Sequence, residues 1–125
     1  MKYFNLDELG AISEDQFHPK FLQHLDDLRH QVATPFFITS GARTREHNKK
    51  IGGKEHSLHI WDDPQHFGQQ GCMAVDIAIK HPAFKVTLVK TALLLGWSVG
   101  INDAKKFVHI DRRIDIGLPQ AVFSY

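Results

Sequence analysis

Three observations predict an α+β fold for this 125-residue chain, with a small antiparallel or mixed sheet and helices packed on one face. Two segments repeat apolar residues every three or four positions, and several short runs alternate apolar with small or polar residues. Glycine, proline, asparagine and aspartate cluster between these segments, where turns belong. At this length folding hides roughly two thirds of the unfolded chain's surface, enough for one core. No linker or repeat divides residues 1–125, so one domain is expected.

Taken in order, "HPKFLQHLDDLRHQVA" (residues 18–33) places Phe21, Leu25, Leu28 and Val32 on one helical stripe, with Pro19 suited to the first turn. The run "PFFIT" reads as a strand ending at Ser40 and Gly41, and functional side chains often sit just past such ends. A short polar helix is expected over residues 43–51, stopped by Gly52 and Gly53. Residues 56–71 show no period and read as a loop, unusually long unless it serves a function.

"CMAVDIAI" alternates. Met73, Val75, Ile77 and Ile79 share one face, and Cys72, Ala74, Asp76 and Ala78 the other, where small side chains leave room around Asp76. "HPAFKVTLVKTALLLG" is a second helix, with Pro82 near its start, Phe84, Leu88, Ala92 and Leu95 as its stripe and Gly96 as its stop. "WSVGI" and "KFVHIDR" flank the turn-like "NDAK" as a hairpin. Alternation groups Phe107, His109 and Asp111, which puts His109 on the polar side of the sheet with Asp76.

Composition is that of an ordinary globular protein, with 42% hydrophobic and 23% charged residues. A net charge of +1 gives no global reason to expect nucleic acid or an anionic membrane as partner. The locally basic "RTREHNKKIGGK" (residues 43–54) reads as a solvated helix face or a contact for an anionic polymer such as cell wall. Cys72 is the only cysteine, which excludes an intrachain disulfide, and its strand setting suits a buried inert thiol. Asp7 and Glu8 stand where a signal peptide needs an apolar run, and "TALLLGW" is too short to span a bilayer. Cytoplasmic synthesis without a signal peptide, and a monomer without membrane or nucleic-acid partners, are the expectations.

An aspartate between Val75 and Ile77 is costly to bury unless something positive compensates it. His59, Asp76 and His109 together offer two imidazoles and a carboxylate, the donor set of a catalytic zinc ion that keeps a fourth position for water. His56, His66 and Asp111 compete as ligands by residue type, since any one histidine is more often a hydrogen-bonded residue than a ligand. Trp61 and Phe67, in the long loop, read either as groove-lining residues or as anchors that hold the loop down.

The stretches "SGARTREHN", "GGKEHSLH", "AVDIAI" and "FVHID" occur in the order found in the zinc D-alanyl-D-alanine carboxypeptidase family, which the chain resembles from about Phe4 to Arg112. That family is similar in fold and site to the phage L-alanyl-D-glutamate endopeptidases, the D-alanyl-D-alanine dipeptidases and the hedgehog signalling domain. Its pattern S-x-H-x-x-G-x-A-x-D is matched by Ser57, His59, Ala74 and Asp76. About ten extra residues around "WDDPQHFGQQ" separate the two ligands, and Cys72 takes the place of the glycine, with Gly71 just before it.

The resemblance implies a hedgehog-like fold and Zn2+ held by His59, Asp76 and His109. It also implies Arg43 as holder of a substrate carboxylate, for which a guanidinium is suited by its paired donors. Ser57 is expected to bind substrate or shape its turn, and His47 and Asn48 to support the site. Relatives carry an acidic residue three or six positions before the last histidine. Lys106 cannot act as a base, so Asp103 is nominated, with Asp111 in reserve and better suited to bracing a ligand. The implied activity is hydrolysis of peptidoglycan stem peptides by a carboxypeptidase or endopeptidase of phage or prophage origin, reaching the wall after release or as part of a particle. The alternative is a catalytically silent, zinc-stabilised binding or assembly module. A metal-dependent nuclease rests on the basic segment alone.

Overall fold

The computed structural model describes residues 1–125. Helix α1 (Phe21–Val32) precedes strand β1 (Ile38–Ser40) and the short helix α2 (Arg45–Lys50). Strand β2 (Ala74–Ala78), helix α3 (Pro82–Leu94), the hairpin of β3 (Ser98–Asn102) and β4 (Phe107–Asp111), and strand β5 (Val122–Ser124) follow. The five strands form one sheet in the order β1-β2-β4-β3-β5. All neighbours are antiparallel except β3 and β5, which run parallel. The sheet is therefore mixed, and the α+β architecture is as the sequence predicts.

Alternation along the central strands separates two jobs. Val75, Ile77, Val99, Val108 and Ile110 are fully buried in the core. That core takes its other walls from α1, through Phe21, Leu25 and Leu28, and from α3, through Leu88 and Ala92. At about 25 cal/mol per Å² of apolar area removed from water, burial of this kind is the main stabilising term. The opposite pleats turn toward the cleft described below.

Several boundaries differ from expectation. Helix α1 begins at Phe21, because residues 18–20 form a turn in which the Phe21 amide donates to His18 O at 2.9 Å. Pro19 thus precedes the helix. Helix α2 starts only after Thr44, whose hydroxyl caps it by accepting from His47 N at 3.0 Å. Leu95 drops out of the α3 stripe and is 42% exposed, because the helix ends there and Gly96, at φ +89°, turns the chain back. Residues 1–17, unassigned by periodicity, pack Phe4, Leu9, Ala11 and Phe17 into the core. Their start is tied to α1 by the Lys2 and Tyr3 amides, which donate to the Asp26 carboxylate.

The long loop is ordered by burial rather than by secondary structure. Leu58, His59 and Ile60 are buried, and Gln69 donates to Ile60 O and Gly71 O while its own carbonyl accepts from Gln65 N and His66 N. Trp61 packs against the core, whereas Phe67 is 100% exposed at the loop's tip.

Candidate metal centre

Strand register builds the site as one row across the sheet. Ser40 pairs with Asp76, Asp76 with His109, His109 with Gly100, and Gly100 with Phe123. Paired residues on adjacent strands project to the same face, so five residues distant in sequence line one strip. Gly100 is needed at its place: a methyl group there would penetrate the Phe123 ring, which packs 5.7 Å from the His109 ring.

His59 arrives from the loop. Arg43 N donates to His59 O and Trp61 N to Arg43 O, both at 2.9 Å, which lashes the loop to the segment after β1. Gly41 lies so close to Leu9 that a side chain there would strike the Leu9 carbonyl, and its own oxygen receives His59 Nδ1 at 2.8 Å.

Three atoms then converge. His59 Nε2 and His109 Nδ1 each lie 3.1 Å from Asp76 Oδ1 and 3.3 Å from one another. A tetrahedral ion with bonds of about 2.0–2.1 Å has ligand-to-ligand edges of about 3.3 Å, so the triangle is already of coordinating size. The far nitrogen of each ring is taken. His59 Nδ1–H donates to Gly41 O, and His109 Nε2–H donates to Asp111 Oδ2 at 2.8 Å. In those neutral tautomers the three converging atoms are all acceptors with no hydrogen between them, and only a cation or a proton reconciles them. The residues present therefore fit zinc.

The electrostatics agree. Burial would raise the Asp76 carboxyl, but the adjacent His109 and His59 imidazoles, which favour the carboxylate whenever either carries a second proton, outweigh it and hold the group well below the usual carboxylate range. Burial lowers His59. Burial pulls His109 the same way, yet Asp111 and Asp76 overcome it and leave His109 raised. Burial is likewise outweighed at Asp111, which His109 and Arg113 hold down at about 2.

Residues 3–111 match the sequence model of the peptidase M15 family. The chain belongs to the peptidase M15 family. No curated protein matches it. M15 peptidases are zinc-dependent metallopeptidases, and in this chain His59, Asp76 and His109 form a group that could hold a metal ion.

The triad sits in a cleft of about 920 Å³ whose lining also includes Arg43, His56, Ser57, His66, Phe123 and Tyr125. Arg43 is in place but heavily engaged. Its Nε donates to Ser40 Oγ at 2.8 Å, Nη1 to Asn48 Oδ1 at 3.0 Å and Nη2 to Asp76 Oδ2 at 3.2 Å. It braces the free oxygen of the aspartate ligand. Arg113 does the equivalent for Asp111, with Nε and Nη2 donating at 3.0 and 2.8 Å. Ser57 is buried and its hydroxyl accepts from His59 N at 3.2 Å, shaping the ligand's turn.

Asp103 is not brought to this cleft. The β strand alternation that carries Gly100 and Asn102 onto the His109 face ends at Asn102, and Asp103 belongs to the turn beyond. Its carboxylate is paired with Lys85 at 2.6 Å, its side chain is 80% exposed, and it lines a separate groove beside Lys106. The geometry therefore gives no support to Asp103 as general base. Asp111, the reserve, is wholly occupied with His109 and Arg113. His56 and His66 line the cleft without joining the triad. Cys72 is buried, and burial pushes its thiol up to about 12, so it is inert.

Sequence reasoning missed the aromatic wall. Phe123 and Tyr125, two apart on β5 and its end, reach the cleft from a segment with no motif. The alternation of "AVFSY" is the one signal that points to it. Burial and then the charge of Asp76 push the Tyr125 phenol up to about 12, so it stays protonated as a hydrogen-bond donor.

Proposed function

We propose that this M15 member is a zinc-dependent peptidase that hydrolyses peptide bonds beside D-amino acids in bacterial peptidoglycan stem peptides, of the D-Ala-D-Ala carboxypeptidase or L-Ala-D-Glu endopeptidase type. The observation that carries the reading is the convergence of His59 Nε2, Asp76 Oδ1 and His109 Nδ1 within 3.3 Å at the floor of an open cleft. When bound there, zinc supplies a water activated near neutral pH and polarises the scissile carbonyl.

The chain's own groups do the rest. Gly41 O and Asp111 fix the two imidazoles in the tautomers that face the ion. Arg43 steadies Asp76 and keeps two N–H donors for a substrate oxygen, the form in which its substrate role is retained. Tyr125 offers a proton-bearing phenol toward the same space. His56 and His66 are the cleft's histidines left to accept a proton from the attacking water. Phage or prophage origin, action on the wall after release or within a particle, and a monomeric state complete the proposal. No helix is long and apolar enough to cross a membrane.

Incubation of the zinc-loaded chain with intact wall peptides tests this, with mass spectrometry for a new amine or free D-alanine. The absence of product at full zinc occupancy sinks it. One observation favours a second reading, a zinc-stabilised binding module without turnover: the acidic residue expected six positions before His109 faces away from the cleft. That reading predicts one equivalent of zinc, tight peptide binding and no new amine.

A further inference from the structure

The cleft is lined by more positive than negative charge. Arg43, Lys54, Lys105 and Arg113 face it, against Asp76 as its one acidic side chain. Two of these cations are already matched, Arg43 by Asp76 and Arg113 by Asp111. Lys54 makes no ion pair with any carboxylate of the chain.

Its ammonium nonetheless has a seat. The Lys54 ammonium lies 4.7 Å from the Phe123 ring centroid and 4.9 Å from that of Tyr125, resting against the aromatic wall beside His109. Ring faces attract a cation without neutralising it, so the charge remains available to an anion. The backbone below is held too: Asn48 Nδ2 donates to Lys54 O at 2.9 Å, and Asn48 Oδ1 receives Arg43 Nη1. A side chain at Gly53 would drive into Asn48, so the glycine lets the loop close on it. Asp76, Arg43, Asn48 and Lys54 thus form one connected chain from the metal ligand to the rim. Lys105, the other unmatched cation, has no such seat.

Resting on the peptidase reading above, we propose that Lys54 is the anchor for a carboxylate of the stem peptide, and that Arg43 serves chiefly to position Asp76. The subsite takes a carboxylate flanked by small aliphatic groups, with the Phe123 and Tyr125 rings as its apolar side. Such a carboxylate has two sources in a stem peptide, the free C-terminus or the α-carboxylate of a γ-linked D-glutamate.

Calorimetry on the zinc-loaded chain separates them, using three peptides: a stem pentapeptide, its C-terminal amide, and its D-isoglutamine form. One amidation is expected to weaken binding to the unsubstituted protein by about tenfold, the scale of a charge-assisted hydrogen bond. Lys54→Gln should weaken the acid peptide by the same factor and erase the discrimination, Lys54→Arg should retain it, and Lys105→Gln should change neither. Zinc content equal to that of the unsubstituted chain confirms that the exposed substitution leaves the centre intact. Equal affinity for all three peptides, no binding of any, or undiminished discrimination in Lys54→Gln overturns the proposal. Because the readout is binding, Lys54-dependent discrimination without cleavage would end the peptidase reading alone, and cleavage indifferent to Lys54 would end this one alone.

Discussion

The two faces of the sheet are made from the same strands, yet they obey different rules. On the helix-covered face Val75, Ile77, Val99, Val108 and Ile110 touch α1, α3 and one another, and any apolar side chain of similar volume meets the requirement. On the cleft face Ser40, Asp76, His109, Gly100 and Phe123 stand in one row, and each is defined by a particular atom it must present or a space it must leave. Neighbours in sequence therefore differ completely in their surroundings: Ile110 lies in the core and His109, one residue away, turns its ring to the cleft beside Asp76. Strand parity thus separates core packing from cleft lining.

Removing a ligand breaks the comparison most sharply. His109→Ala should abolish zinc retention and bring cleavage to background while the apo protein stays folded, because the lost side chain served the cleft and not the core. Metal analysis beside circular dichroism reads both, and a variant that keeps one equivalent of zinc would refute the site. Ile110→Ala should do the reverse, costing about 2–5 kcal/mol in denaturant unfolding while zinc stoichiometry is kept.

Smaller effects sharpen the comparison within the cleft. Asp111→Asn should weaken zinc about 10- to 100-fold, the scale typical of a group that orients a ligating histidine, as read by competition with a chelator. The same residue gives a signed pH effect. Its carboxyl is held down at about 2, against about 3.9 for a free aspartate, so its stabilisation is complete above roughly pH 4 and disappears as the pH falls through about 2. Acid titration of the apo protein should show that loss, and Asp111→Asn should lack it. Gly100→Ala should displace the Phe123 ring and cost about 1–3 kcal/mol, with a changed near-ultraviolet dichroism signal. Phe67→Ser is expected to lie within about 0.5 kcal/mol of the parent, since the ring touches nothing that its loss would expose; a larger change would show that the loop tip packs.

Much of the site is legible in the sequence alone. Alternation in "CMAVDIAI" and "KFVHIDR" places Asp76 and His109 on the same side, and the register pairs them directly. His59 follows from the order of motifs, not from periodicity, because a loop carries no repeating signal. Asp103 shows the opposite case: counting residues back from His109 reaches it, but the hairpin turn decides that Asn102 faces the cleft while Asp103 pairs with Lys85. The split fates of Trp61, against the core, and Phe67, in solvent, are not written locally either, since nothing nearby in the chain distinguishes two aromatic residues in one irregular loop.

By itself the sequence determines the α+β class and the parity of the strands that carry Asp76 and His109, because these depend on period and residue type along short stretches. Only the tertiary structure decides that Arg43 braces Asp76, that Asp111 orients His109, and that β5 lies parallel to β3 so that Phe123 and Tyr125 wall the cleft beneath Lys54. Apart from the Asp111–His109 pair, those contacts join residues tens of positions apart. They are fixed by strand order and by the packing of backbone against glycine, which local propensity does not encode.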